Sequence, residues 1–282
     1  RYNIISPIEF FQNYPFMGKL ALKSSLIRDR SFDNHSWGER LSLCLITLGP
    51  SFIKFGQTLA TRSDIIGTDT ALALTQLQDN LSPFSFSEVE AIVKNDFSCP
   101  VEELFSHFEK KPMAAASIAQ VHCATLISGQ EVAVKILRPN IDALFERDIK
   151  LLFWLARLLE RFFPKTRRLR PTKVVEVFSE TVKLELDLRM EASAASELAE
   201  NFSNDKDFKV PEIYWDYTSR RVLTIEKVVG CRPDDMQGLA KMRLSPRQIL
   251  EKSARIFFNQ VFRDGFFHGD MHPGNVFILE NG

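Results

Sequence analysis

With 282 residues, 45% of them hydrophobic, the chain is long enough to bury one large core or two smaller ones. Its 36 basic and 36 acidic residues cancel, which excludes nucleic acid as the main partner. Twenty-four phenylalanines predict an aromatic-rich core. The four cysteines, Cys44, Cys99, Cys123 and Cys231, have neither close pairing nor metal spacing, so neither disulfides nor zinc are expected and a reduced compartment is the simplest reading.

In chain order, Gly49-Pro50 breaks one helix and starts the next, because proline suits a first helical turn. Phe52, Phe55 and Leu59 then form an apolar stripe, while Lys54, Gln57, Thr58 and Thr61 share a polar face. Gly56 costs a helix interior about 1 kcal/mol and predicts close approach by another element. Further on, Ala114-Ala115-Ala116-Ser117-Ile118-Ala119-Gln120 is a small-residue stretch, readable as a close-packed turn or as a loop over a ligand. Val121 to Leu126 and Val132 to Leu137 predict a hairpin closed by Ile127-Ser128-Gly129-Gln130. In its second strand, alternation sends Val132, Val134 and Ile136 to one face and Ala133, Lys135 and Leu137 to the other. A single cation therefore stands on an apolar ribbon.

Leu151 to Leu159 is apolar but contains Arg157 and is too short to span a bilayer, so no transmembrane segment is expected. Lys165, Arg167, Arg168, Arg170 and Lys173 follow as a basic cluster between two helices, either a solvated linker or a contact for anionic lipid. The run 171–204 predicts an acidic helix carrying Glu185, Asp187 and Glu191. On one continuous helix Asp187 and Glu191 share a face and Glu185 points elsewhere. Ala192, Ala194 and Ala195 would let that helix pack closely, which favours Glu191 as the partner of Lys135. The strand Arg221 to Glu226 leads into Lys227-Val228-Val229-Gly230.

The sharpest chemistry lies in His268-Gly269-Asp270-Met271-His272-Pro273-Gly274-Asn275. Asp followed five positions later by Asn is the spacing of phosphoryl-transfer loops: the Asp orients or deprotonates a hydroxyl, and the Asn supplies oxygen to a magnesium ion on ATP. Asp, Pro, Gly and Asn also make turns without chemistry, and the lysine strand is what favours the catalytic reading. Asp270 is thus the candidate catalytic residue and Asn275 the candidate metal ligand, with Lys135 and Glu191 as the phosphate-binding ion pair. In that context residues 114–121, Ala114 through Val121, are expected to cover phosphates, without the glycines usual there. The polar stripe of Lys54 is expected to meet the nucleotide cleft, and the Glu226 carbonyl and Val228 amide to read adenine. Arg62 and Asp64 read as a structural ion pair.

Four ordered motifs now resemble the UbiB family of atypical kinase-like proteins: Lys54-Phe55-Gly56-Gln57, the alanine-rich loop 114–122, Glu185 and Asp187 with Glu191, and the loop 268–275. The likeness runs from about residue 35 to the last. It implies an α+β fold with a protein kinase-like N-lobe, an N-terminal helical extension, inserted helices and a truncated C-lobe. The expected divisions are 1–108, 109–230 and 231–282. By resemblance, Lys54 and Gln57 belong to a regulatory motif in which Lys54 meets Glu185, and Asp187 helps to arrange metal and nucleotide.

The resemblance also implies ATP and Mg2+ as cofactors and ATPase-like chemistry in ubiquinone (coenzyme Q) biosynthesis. The expected partners are quinone-pathway lipid or phenolic intermediates, ubiquinone biosynthetic proteins and a membrane surface. The location implied is the cytoplasmic face of a bacterial inner membrane, with any membrane-spanning helices beyond residue 282. The chain stops before a second magnesium ligand, so this piece by itself is expected to be inactive. Two alternatives stay open: a nucleotide-gated scaffold, or a phosphotransferase for a small hydroxyl compound.

Overall fold

The computed structural model describes residues 35–77, 81–269 and 274–280. In chain order the elements are α1 (Trp37–Leu48), α2 (Pro50–Ala60), α3 (Ser63–Ile66), α4 (Thr68–Thr75), α5 (Phe86–Phe97), α6 (Val101–Leu104), β1 (Phe105–Phe108), β2 (Ala114–Ala115), β3 (Ala119–Leu126) and β4 (Glu131–Leu137). Then come α7 (Ile141–Phe162), a 3-10 turn Pro164–Leu169, α8 (Pro171–Glu185), α9 (Leu188–Asn201), β5 (Val222–Glu226), α10 (Met236–Lys241), α11 (Pro246–Phe258) and a π-helical turn Asn259–Asp264. Among the described residues they fall into two units interleaved in sequence: those from 35 to 83, 115–119 and 140–183 form one, the others the second.

The first unit is helical. Ser36 and Glu39 form a reciprocal cap on α1, with the Glu39 amide donating to Ser36 Oγ at 3.2 Å. Gly49, at φ 105°, ends α1 as glycine alone readily can, and Pro50 opens α2 as expected. Phe178 is fully buried against Phe55, ring centroids 5.1 Å apart, and beside Phe145. A Cβ on Gly56 would lie 2.5 Å from Leu77 and 2.7 Å from Leu45, so the predicted close approach is made by core leucines of this same unit. Arg62 holds Asp64 through two 2.8 Å hydrogen bonds, the expected ion pair.

The second unit is built on a sheet ordered β1-β3-β4-β5, with β2 beside β3. The hairpin turn is where the sequence places it, Gly129 taking φ 94°. Val132, Val134 and Ile136 are completely buried, packing with Val89 and Val93 of α5 and Val222 of β5. Each such side chain contributes about 1.5–3 kcal/mol by leaving water. Lys135 is on the other face and partly exposed, while Leu137, the last residue of the strand, is buried as well.

A polar cluster closes one side of that core. Gln120 is 1% exposed; its Oε1 accepts from the Phe84 amide at 3.0 Å and its Nε2 meets His122 Nε2 at 2.8 Å. His122 Nδ1 lies 2.7 Å from the Glu109 carbonyl, which can only accept, so the neutral ring carries its proton on Nδ1 and accepts from Gln120 on Nε2. Burial pushes the His122 imidazole below its ordinary value, outweighing the Glu109 carbonyl, which raises it. With the folded value depressed, the unfolded chain binds the proton more tightly, so the contribution is complete above about pH 6.5 and lost as pH falls through the folded value. Urea melts from about pH 7.5 to 5 are expected to show stability falling with pH in the wild type, a loss absent in His122→Gln; identical pH slopes in the two proteins would refute it.

Candidate active site

The site in the second unit starts from β4. Alternation exposes Lys135 on the face opposite the valines, and its Nζ reaches both Glu191 oxygens, at 2.7 and 3.0 Å. This is the ion pair the sequence predicts. Glu191 stands in the first turn of α9, where the helix dipole favours an acid.

The path to Glu191 differs from the expectation. The acidic run is not one helix: α8 ends at Glu185, and α9 starts after Asp187. Leu186 and Leu188 are buried, and the Leu188 amide turns aside to donate to the Arg220 carbonyl at 2.9 Å, so the chain must leave helical geometry between them. Asp187 becomes the N-cap, accepting from the Arg189 amide at 3.2 Å and from the Arg189 side chain at 2.6 and 2.8 Å. That guanidinium holds the Asp187 carboxyl below its ordinary value. The helical face proposed for Asp187 and Glu191 therefore does not exist, and Glu185 belongs to the preceding helix. Only Ala192 packs tightly, at 0% exposure; Ala194 and Ala195 instead line a cavity.

That cavity, about 950 Å³, draws the site together. Its lining includes Glu191 and Ala195 of α9, Glu226 to Val229 after β5, and His268, Gly269 and Asn275 from the loop. The Glu226 and Val228 segment thus borders the same space as Asn275. Glu226 itself is fixed by Lys209, which donates to its carboxylate, and by its amide, which donates to the Glu212 carbonyl at 2.8 Å. Also lining the cavity, Asp207 accepts from Lys252 at 2.9 Å and from Arg255, and these two cations hold its carboxyl below the ordinary value.

Two anchors that sequence reasoning missed bound the loop. Gln260, fully buried in the π-helical turn, accepts from the His268 amide at 2.9 Å through Oε1. Beyond Asn275, Ile278 and Cys231 exchange backbone hydrogen bonds of 2.7 and 3.0 Å, and a Cβ on Gly230 would sit 2.6 Å from the Ile278 carbonyl. That close approach marks Gly230 as a required glycine, and a glycine next to the crossing segment was the one available signal. Nothing in the sequence distinguishes Gln260 from other helix-face glutamines.

Asp270 lies outside the described residues. Of the alanine-rich segment, β3 begins at Ala119, so Ala119, Gln120 and Val121 are strand, and Gln120 is a core hydrogen-bonding residue with its side chain turned inward. Ala116 donates to the Ala119 carbonyl at 2.7 Å, closing a tight turn in which Ser117 is 1% exposed. Ala114 is exposed, while Ala115 and Ile118 are half-buried. Lys54 and Gln57 are half-buried on α2 of the first unit, where Gln57 Nε2 donates to the Leu77 carbonyl at 3.2 Å.

A family model described as the ABC1 atypical kinase-like domain matches residues 76–282. A "Probable protein kinase UbiB" from Marinobacter nauticus is 46% identical over 243 residues, 86% of this chain and 44% of that protein. Its namesake in Pseudomonas aeruginosa is 45% identical over 241 residues, 86% of this chain and 45% of that one. The chain therefore spans under half the length of these relatives. Among solved structures, the Rv3197–erythromycin complex from Mycobacterium tuberculosis is similar at TM-score 0.55 and 30% identity, covering 79% of this chain and 56% of that one.

Proposed function

This chain belongs to the ABC1 atypical kinase-like family, and from that premise we propose that it is the nucleotide-binding part of an ATP-dependent kinase-like enzyme supporting ubiquinone biosynthesis at a bacterial membrane. The observation that carries the reading is the Lys135–Glu191 pair on strand and helix, with Glu191 sharing one cavity with Asn275 and the Glu226–Val228 backbone. Lys135 would bind phosphate oxygens, Glu191 would keep its ammonium aimed, and Asn275 would offer an oxygen to Mg2+. Bound Mg-ATP supplies the phosphoryl group and the charge neutralisation its transfer needs. The quinone and membrane parts rest on the likeness to UbiB proteins alone.

A nucleotide-gated scaffold is the second reading, favoured by the tight Ala116–Ala119 turn with its inward Ser117, which is stiffer than a glycine loop. Either reading requires nucleotide binding, which thermal melts of the full-length protein with Mg-ATP test directly. ATP at about a hundred times its dissociation constant should stabilise wild type by about 2.7 kcal/mol. Lys135→Met should need roughly tenfold more ATP for the same gain, the loss of one charge-assisted contact. Melting points indifferent to Mg-ATP would overturn both readings.

A further inference from the structure

Helix α7 carries apolar side chains on two separate faces. Phe145, Leu152 and Ala156 point into the first unit, all at most 6% exposed. Leu151, Trp154, Leu155, Leu158 and Phe162 point out, between 37% and 58% exposed. At about 100° per residue these five fall within an arc of about 100°, a continuous stripe along the last three turns. Isolated exposed apolar residues are ordinary, but a stripe of five including a tryptophan is not.

Charge identifies what the stripe meets. From Leu151 to Lys173 the sequence holds seven cations and a single acid, Glu160. That acid is engaged, accepting from the Thr172 amide at 3.0 Å. Arg157 and Arg161 flank the stripe with their guanidinium groups 5.9 Å from the rings of Phe153 and Phe162, within cation–π reach. Past the helix end, Arg168, Arg170 and Lys173 edge a groove of about 470 Å³ whose apolar side includes Leu169, Val174 and Val177. No helix among the described residues is long and apolar enough to cross a membrane. Aromatic and leucine side chains on one face, arginines beside them and a basic turn at the end make an interfacial helix.

We propose that the outward face of α7 and the basic turn Pro164–Leu169 dock the protein on an anionic bilayer surface, the stripe entering the headgroup region and the arginines meeting lipid phosphates. The inference deepens the membrane element of the function proposed above, and because it needs no nucleotide, its failure would leave the ATP site standing.

The test mixes the 282-residue chain with phosphatidylcholine vesicles, with and without phosphatidylglycerol. Binding is read by sedimentation and by brominated-lipid quenching of Trp154 in a Trp37→Phe, Trp215→Phe background. Binding to the anionic vesicles with Trp154 quenched is expected. Arg168→Gln with Arg170→Gln should weaken it by about tenfold or more, and Leu151→Ser with Leu158→Ser, which keeps the Trp154 reporter, should abolish quenching and most binding. The replaced side chains are exposed, and matching circular-dichroism melts establish that the variants fold. Free glycerol phosphate competing as well as vesicles would overturn the proposal in favour of a soluble-anion site. So would vesicle binding indifferent to both double variants, or a stripe variant that only dissolves a dimer.

Discussion

Asp270→Asn in the full-length protein is expected to lower magnesium-dependent ATP turnover about 10³-fold while leaving ATP-induced stabilisation intact. Asparagine keeps the size of the side chain and removes the carboxylate that takes or orients a proton. Binding would survive because the groups assigned to hold nucleotide, Lys135, Glu191 and Asn275, are untouched. The loop's neighbours support placing chemistry there: His268 is pinned to Gln260, Gly269 and Asn275 border the large cavity, and Ile278 is tied to Cys231. A catalytic loop needs such anchoring, since a misplacement of about 1 Å can cost about a hundredfold in rate. Undiminished turnover in Asp270→Asn would remove Asp270 from the chemistry. ATP binding without turnover in wild type would transfer the protein to the scaffold reading.

The sheet and its lysine were legible because alternation is a local signal: Val132, Val134 and Ile136 declare the buried face, and Lys135 the open one. The Gly49-Pro50 break was equally local. Glu191 was chosen for the alanines that follow it, of which only Ala192 packs tightly; its pairing with Lys135 spans 56 residues, which no period encodes. The continuous acidic helix failed for a related reason. Leu186 and Leu188 look helix-compatible in sequence, and only the tertiary bond from Leu188 to Arg220 makes the chain break there. Gln120 looked like a loop residue beside alanines. Its role depends on His122 and on Phe84, 36 positions earlier, which local reading cannot see. Non-local polar pairs are the class of information that sequence pattern lacks.

Another such pair supports the second large prediction. Asp96, near the end of α5, has a side chain only 11% exposed and faces Arg221 at the start of β5. Arg221 Nε donates to Oδ1 at 2.9 Å, while Oδ2 accepts from Ser219 Oγ at 2.6 Å and from the Arg221 amide at 3.3 Å. Burial alone would push the Asp96 carboxyl up; the bonds from Arg221 and Ser219 outweigh it and hold the group below its ordinary value. Asp96→Ala leaves the guanidinium and the Ser219 hydroxyl short of their acceptor where α5 meets the sheet. Removing one partner of a largely buried pair costs about 3 kcal/mol, far more than the roughly 0–1 kcal/mol of an exposed pair such as Arg247 with Glu251. Urea unfolding of the 282-residue chain should show that loss at neutral pH, where Asp96 is ionised. Because the folded value is depressed, the wild-type advantage should be full above about pH 4 and fade as pH falls through the folded value. An Asp96→Ala protein as stable as wild type at pH 7 would mean that the clamp joins α5 to β5 in geometry but not in energy, leaving Val89, Val93 and Val222 to hold that interface by packing alone.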